Sequence, residues 1–244
     1  MINKSFPIVS LVLALSSFST LAADTHCNVK QYEMGLRYQQ QSAEIMALQL
    51  QTYKFAQQQL NENLTQRETN RKSAIIIDLD ETVLDNTPLL VKDLKKCHDY
   101  TEWDTWGDWE KNGEPSLIPG AKDFLNFVNN QHITIFYVSD RSQENKQATI
   151  NTLNRLGLPQ VNSDHVLLAN KSKQLRREDI SHQFQVIMLL GDSLADFAAE
   201  FKTKKPTSEQ RKLVEQQRQK FGTQWIIMPN SSYGSWSHSQ LKSE

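Results

Sequence analysis

Two aspartates one residue apart, Asp78 and Asp80, follow directly on the apolar run Ala74-Ile75-Ile76-Ile77. Such a run reads as a strand covered on both faces, and residues two apart in an extended chain point the same way, so both carboxylates reach one small site. Carboxylates that close repel each other; a cation lowers the cost while leaving one acid able to hold a proton. That arrangement suits phosphoryl transfer. Asp78 would attack phosphorus, and Asp80 would protonate the leaving oxygen, then take a proton from the water that opens the acyl phosphate. A pair of acids at a strand end also serves to cap turns and helices, so the pair carries weight only with partners.

Partners follow other apolar runs. Gly191-Asp192-Ser193-Leu194-Ala195-Asp196 offers two further oxygen donors four residues apart. Magnesium takes hard oxygens in octahedral geometry and keeps several waters, so one Mg2+ held by one or two carboxylates and a substrate oxygen is the expected cofactor. Ser139 can donate a hydrogen bond to a phosphoryl oxygen, and Lys173 or Lys171 can offset its charge. Glu81 and Thr82 are read as shaping the turn after Asp80. Trp103, Trp106 and Trp109 could stack an aromatic leaving group, although packing is the commoner use of such a cluster. The six histidines lack zinc-like spacing, so His98, His132, His165 and His182 are assigned to surface or loops.

The elements that must position these residues are strands alternating with helical stretches. Residues 133–138, 166–169, 186–190 and 225–228 repeat the apolar, β-branched character of 74–77. The expected fold is α/β, a doubly wound, mostly parallel sheet, with ligands at the carboxyl ends of the strands. Residues 32–64 contain no Pro and have near-helical apolar spacing, giving one long helix or a broken pair. With residues 86–117, which lack a strand pattern, the 30–64 helix is expected to form a small, largely helical cap over a core of about 74–85 and 118–244. Residues 202–220 are expected to be a charge-rich helix with a solvated face.

The chain has 244 residues, 38% hydrophobic, with 27 basic and 28 acidic side chains. That near-balance argues against binding to nucleic-acid polymers and leaves a homodimer open. Residues 1–23 combine an early lysine, an apolar run and Leu21-Ala22-Ala23, as a secretory signal peptide does, leaving a mature domain of 24–244. Serines and Pro7 break the run too early for a membrane anchor, and no later segment could span a bilayer. A periplasmic or secreted location follows. There Cys27 and Cys97 become candidates for a disulfide, with two free thiols as the alternative.

Four segments in order resemble the class C acid phosphatases of the haloacid dehalogenase superfamily: 78–86, Phe136-Tyr137-Val138-Ser139-Asp140-Arg141, 191–197 and 228–236. The resemblance implies Asp78 as nucleophile and metal ligand, and Asp80 as acid and base that meets the metal through its main-chain carbonyl. Asp192 would be a direct metal ligand, and Asp196 would lie behind it or hold a water on the metal. Ser139 and one lysine would grip phosphate; Lys173, three before Arg176, fits the family spacing better than Lys171. Two departures stand out. Cys27 follows Asp24-Thr25-His26 rather than a lipidation sequence, which argues against a lipid anchor, and Asp140 stands where Asn is frequent. The function implied is an exported, magnesium-dependent acid phosphatase acting on small phosphate monoesters, with nucleoside monophosphates among the candidates. A dehalogenase would not need Asp80, Asp192 and Asp196. A receiver-like switch would need kinases absent outside the cytoplasm, and a non-catalytic surface ligand-binding protein on the same fold would tolerate loss of the acids.

Overall fold

The structure is a computed structural model that describes residues 27–68, 70–202 and 206–243. The expected signal peptide lies outside them. Among the described residues no helix is long and apolar enough to cross a membrane.

Two helices open the described chain, α1 (Glu33–Gln41) and α2 (Ala43–Thr65). They are a broken pair: Ser42 is extended, with ψ 138°, and its hydroxyl accepts from Ile45 N at 3.0 Å to start α2. Strand β1 (Ser73–Ile77) then leads to a two-residue strand, β2 (Leu84–Asp85), the helices α3 (Thr87–Lys95) and α4 (Trp106–Asn112), and β3 (Ser116–Leu117). β2 and β3 pair antiparallel and close residues 86–115 into an insertion. The chain continues through α5 (Ala121–Asn130), β4 (Thr134–Val138), α6 (Lys146–Arg155), β5 (Val166–Leu167), α7 (Lys173–Gln183), β6 (Gln185–Gly191), α8 (Thr207–Gln216) and β7 (Trp225–Ile227).

The five longer-range strands form one parallel sheet in the order β5-β4-β1-β6-β7. This is the expected α/β fold, although β5 covers only the first half of the run predicted at 166–169. Alternate side chains of β1 feed two cores, as pleating requires. Ile75 and Ile77 pack with Tyr53, Ala56 and Leu60 of α2, with Phe124 and Val128 of α5, and with Leu153 of α6. Ala74 and Ile76 face Ile180 of α7 on the opposite side. Burying such a side chain stabilises the fold by about 1.5–3 kcal/mol.

These contacts correct the expected cap. Tyr53, Ala56 and Leu60 belong to the sheet's own core, so α2 is one of its covering layers. Only the first part of the predicted helix joins the insertion: Tyr32 and Leu36, with Val29 just before it, pack with Leu89, Leu90, Tyr100 and Trp106. Helix α8 is also more than a solvated face, because Leu213 and Val214 pack on Phe197, Phe201 and Trp225.

A disulfide joins Cys27 to Cys97, with α-carbons 5.4 Å apart, and ties the start of the described chain to the end of α3. It closes a loop with a sequence separation of 70, for which chain entropy gives a stabilisation of roughly 4 kcal/mol. Reduction should therefore lower the urea midpoint and change the non-reducing electrophoretic mobility; identical behaviour with and without reductant would count against the bridge.

Candidate active site

Chain connections leave β1 toward β4 and leave β6 toward β7, so they run to opposite sides and leave a crevice outside the carboxyl ends of β1 and β6. Asp78 follows β1 and Asp192 follows β6, and Asp78 N donates to Leu190 O at 3.0 Å across the pair. Asp196 is brought back to the same point by a short 3-10 turn, in which Ser193 N donates to its Oδ2 at 2.9 Å. Gly191 makes room for it: a Cβ there would lie 2.3 Å from Asp196 Oδ2. Carboxylate oxygens of Asp78, Asp192 and Asp196 consequently lie within 4.8 Å of one another.

Lys173, the first residue of α7, enters this group buried. Its Nζ donates to Asp78 Oδ1 at 2.7 Å and to Asp196 Oδ1. Burial pushes the Asp78 carboxyl well above its ordinary range; Lys173 opposes the shift, and Asp196, Asp192 and Asp80 add to it. Asp192 is pushed up to about 7 by burial and then by Asp196, against a hydrogen bond from Asn230. Burial would lower Lys173, but the Asp196 and Asp78 charges outweigh it and hold the ammonium protonated. Three hard oxygen donors with this mutual repulsion, partly offset by one ammonium, fit a divalent cation.

Asp80 shares the crevice but takes no part in that cluster. Arg141 grips it with Nη2 at 2.7 Å and Nε at 2.9 Å from Oδ1, Ser139 Oγ donates at 3.1 Å, and Asn86 Nδ2 at 3.0 Å. Burial favours the neutral acid, yet the Arg141 charge and these hydrogen bonds prevail and hold Asp80 below the ordinary carboxylate range. The turn after Asp80 places Glu81 in the left-handed region, φ 53°. Its buried carboxyl accepts from Asn86 N at 3.0 Å and from the Tyr233 hydroxyl, and burial followed by Asp80 raises its proton affinity well above normal.

A cavity of about 1140 Å³ opens on these acids. Trp103, Trp106 and Glu110 line one wall, Arg211 and Val214 of α8 another, and Tyr233 and Trp236 of the C-terminal segment a third.

The family model described as HAD superfamily, subfamily IIIB (Acid phosphatase), matches residues 10–236. The chain belongs to this family. A class C acid phosphatase from Bacillus anthracis is 34% identical, with 86% of this chain and 88% of that one covered and a TM-score of 0.80. The same enzyme with tungstate bound is similar to the same extent, at 34% identity, 86% and 88% coverage and a TM-score of 0.80. The protein is thus an acid phosphatase, a phosphoric monoester hydrolase.

In this acid phosphatase Asp78, Asp80, Ser139, Lys173, Asp192 and Asp196 all meet at the strand ends. Lys171 does not; it is exposed and paired with Asp179. Asp140 lines the rim of the cavity and pairs with Arg176 Nη2 at 2.7 Å, with its side chain 54% exposed. Of the tryptophans, Trp103 and Trp106 line the cavity, whereas Trp109 directs its Nε1–H to Asn86 at 2.8 Å. Residues with no role in the sequence reading complete the site: Arg141, Asn86, Asn230 and Tyr233. A buried acid implies a counter-charge, so an arginine two residues beyond Ser139 was a usable signal for Arg141; the others depend on tertiary contacts.

Arg176 holds the Ser139 loop in place. It is buried and donates through Nη1 to Ser139 O at 2.6 Å and Leu167 O at 2.8 Å. Arg176→Met should cost about 2 kcal/mol in urea unfolding, because the Ser139 carbonyl loses its Arg176 donor while Leu167 O keeps only Ser139 N; an unchanged midpoint would show that the Ser139 carbonyl is satisfied otherwise.

Proposed function

We propose that this acid phosphatase hydrolyses small phosphate monoesters through a phosphorylated Asp78, with magnesium at the carboxylate cluster. The observation that carries the reading is the buried Asp78 carboxylate, within ligand reach of Asp192 and Asp196, bonded to Lys173, and open to a cavity far larger than a phosphate group. Asp78, Asp192 and the main-chain carbonyl of Asp80 would hold the ion, with Asp196 behind it. When bound, the ion neutralises carboxylate and phosphoryl oxygens so that attack on phosphorus meets less repulsion.

Asp78 forms a bond from its carboxylate oxygen to phosphorus as the bond from phosphorus to the ester oxygen breaks. The departing oxygen takes its proton from Asp80. A water then bonds to the phosphorus of the acyl phosphate, returns a proton to Asp80, and releases Asp78 with inorganic phosphate. Lys173 and Ser139 offset and orient the phosphoryl oxygens during both steps. A carboxyl held low by Arg141 carries its proton in a growing fraction of molecules as pH falls, which supports an acid optimum. The tungstate held by the Bacillus anthracis enzyme, an oxyanion of similar charge and shape, is consistent with phosphate occupying this crevice.

The aromatic wall of Trp103, Trp106, Tyr233 and Trp236 supports nucleoside monophosphates among the substrates. The Cys27–Cys97 bridge supports an oxidising compartment, and with residues 1–23 it supports export to the periplasm or beyond.

Asp78→Asn should lower turnover of p-nitrophenyl phosphate by at least about 10³-fold with an intact fold, since a carboxamide is a poor nucleophile; near-normal rates, with deamidation excluded by mass, would overturn the mechanism. Excess chelator should abolish activity and added magnesium restore it; full activity in chelator would remove the metal from the account.

A further inference from the structure

We propose that Asn86 is a positioning residue through which cap helix α4 sets the direction of the Asp80 carboxylate, an inference that rests on Asp80 being the proton donor. Asn86 is fully buried. Its Oδ1 accepts from Trp109 Nε1 at 2.8 Å and from Arg141 Nη2 at 3.3 Å, while its Nδ2 donates to Asp80 Oδ1 at 3.0 Å and to Glu81 Oε2 at 3.4 Å. Trp Nε1 and guanidinium can only donate and the ionised Asp80 carboxylate can only accept, so the amide fits in one orientation alone. An aspartate would set acceptor against acceptor, and an alkyl side chain would leave a buried indole N–H unpaired. The side chain thus joins a donor of the insertion to the carboxylate of the core.

The insertion side of this link is itself held firmly. Glu110, next to Trp109, accepts from Ser142 N and Asn145 Nδ2, both at 2.9 Å, and Asn145 Nδ2 also donates to Gly107 O at 3.0 Å. Trp106, Gly107 and Glu110 line the cavity. A leaving group resting on α4 therefore touches the helix whose next residue, Trp109, reaches Asp80 in two hydrogen bonds. Trp109 itself is absent from the cavity wall, so an effect of its N–H on chemistry has to pass through Asn86.

The ratio of kcat/KM for p-nitrophenyl phosphate to that for ethyl phosphate separates acid positioning from general damage. Nitrophenolate leaves without a proton, whereas ethoxide needs one. Trp109→Phe keeps a ring in place and removes only the donor. It should reduce kcat/KM for ethyl phosphate about 10-fold and for p-nitrophenyl phosphate less than about 3-fold, with the loss in kcat and KM little changed. Asn86→Ala should show the same selectivity. Each ratio is taken within one preparation, so incomplete folding, which scales both rates alike, cancels. Asp80→Asn is the reference and should show the largest selectivity. Equal losses on both substrates, a loss confined to KM, or no loss in Trp109→Phe and Asn86→Ala, with Asp80→Asn still selective, would overturn the role of Asn86 alone. An Asp80→Asn variant without selectivity would overturn the proton-donor reading and this inference together.

Discussion

Mutual repulsion among buried carboxylates is what the rest of the molecule has to accommodate. Asp78, Asp192 and Asp196 bring oxygens within 4.8 Å of one another at the carboxyl ends of two neighbouring strands. Left alone, such a cluster would take up protons. The fold answers by bringing Lys173 into the cluster from the start of α7, a helix that packs on the opposite face of the sheet from α2. The opposite courses of the chain after β1 and after β6 give the acids a crevice; the lysine offsets part of their charge.

A second device keeps the fourth acid distinct. Asp80 is two residues from Asp78, yet its environment is dominated by Arg141, Ser139 and Asn86, and its proton affinity moves the opposite way. Two carboxylates two residues apart are thereby pushed apart in protonation behaviour. The buried guanidinium of Arg176 serves the same end at one remove, since it fixes the carbonyl of the serine that touches Asp80. It also gives Asp140 a partner: the extra acid answers Arg176 at the rim of the cavity.

The sheet and the acid cluster could be read from sequence because both are written in local patterns. Continuous runs such as Ala74-Ile75-Ile76-Ile77 mark strands covered on both sides, and the residue after each run is placed by the fold itself. The cap was only partly readable. Residues 32–64 look like one helical stretch, and the stop at Ser42 is a capping event that separates a helix packed on the insertion from one packed on the sheet. Helix α8 looked solvated because its charges outnumber Leu213 and Val214, whose partners lie elsewhere in sequence. Asn86, Asn230 and Tyr233 lie in segments 78–86 and 228–236 of the resemblance, but their partners Trp109, Asp192 and Glu81 stand 23 to 152 positions away.

The segment after β7 is built as a strap across all parts of the molecule. Met228 N donates to Gly191 O, Asn230 to Asp192, Ser231 to Gly35 O, and Tyr233 to Glu81, while Ser232 O accepts from the Tyr100 hydroxyl. These five residues come later in the chain than every acid they touch. During synthesis the crevice therefore stays unfinished until its final clasp has been made, and a nascent chain lacking that clasp has its carboxylates in order of sequence but not yet in working alignment.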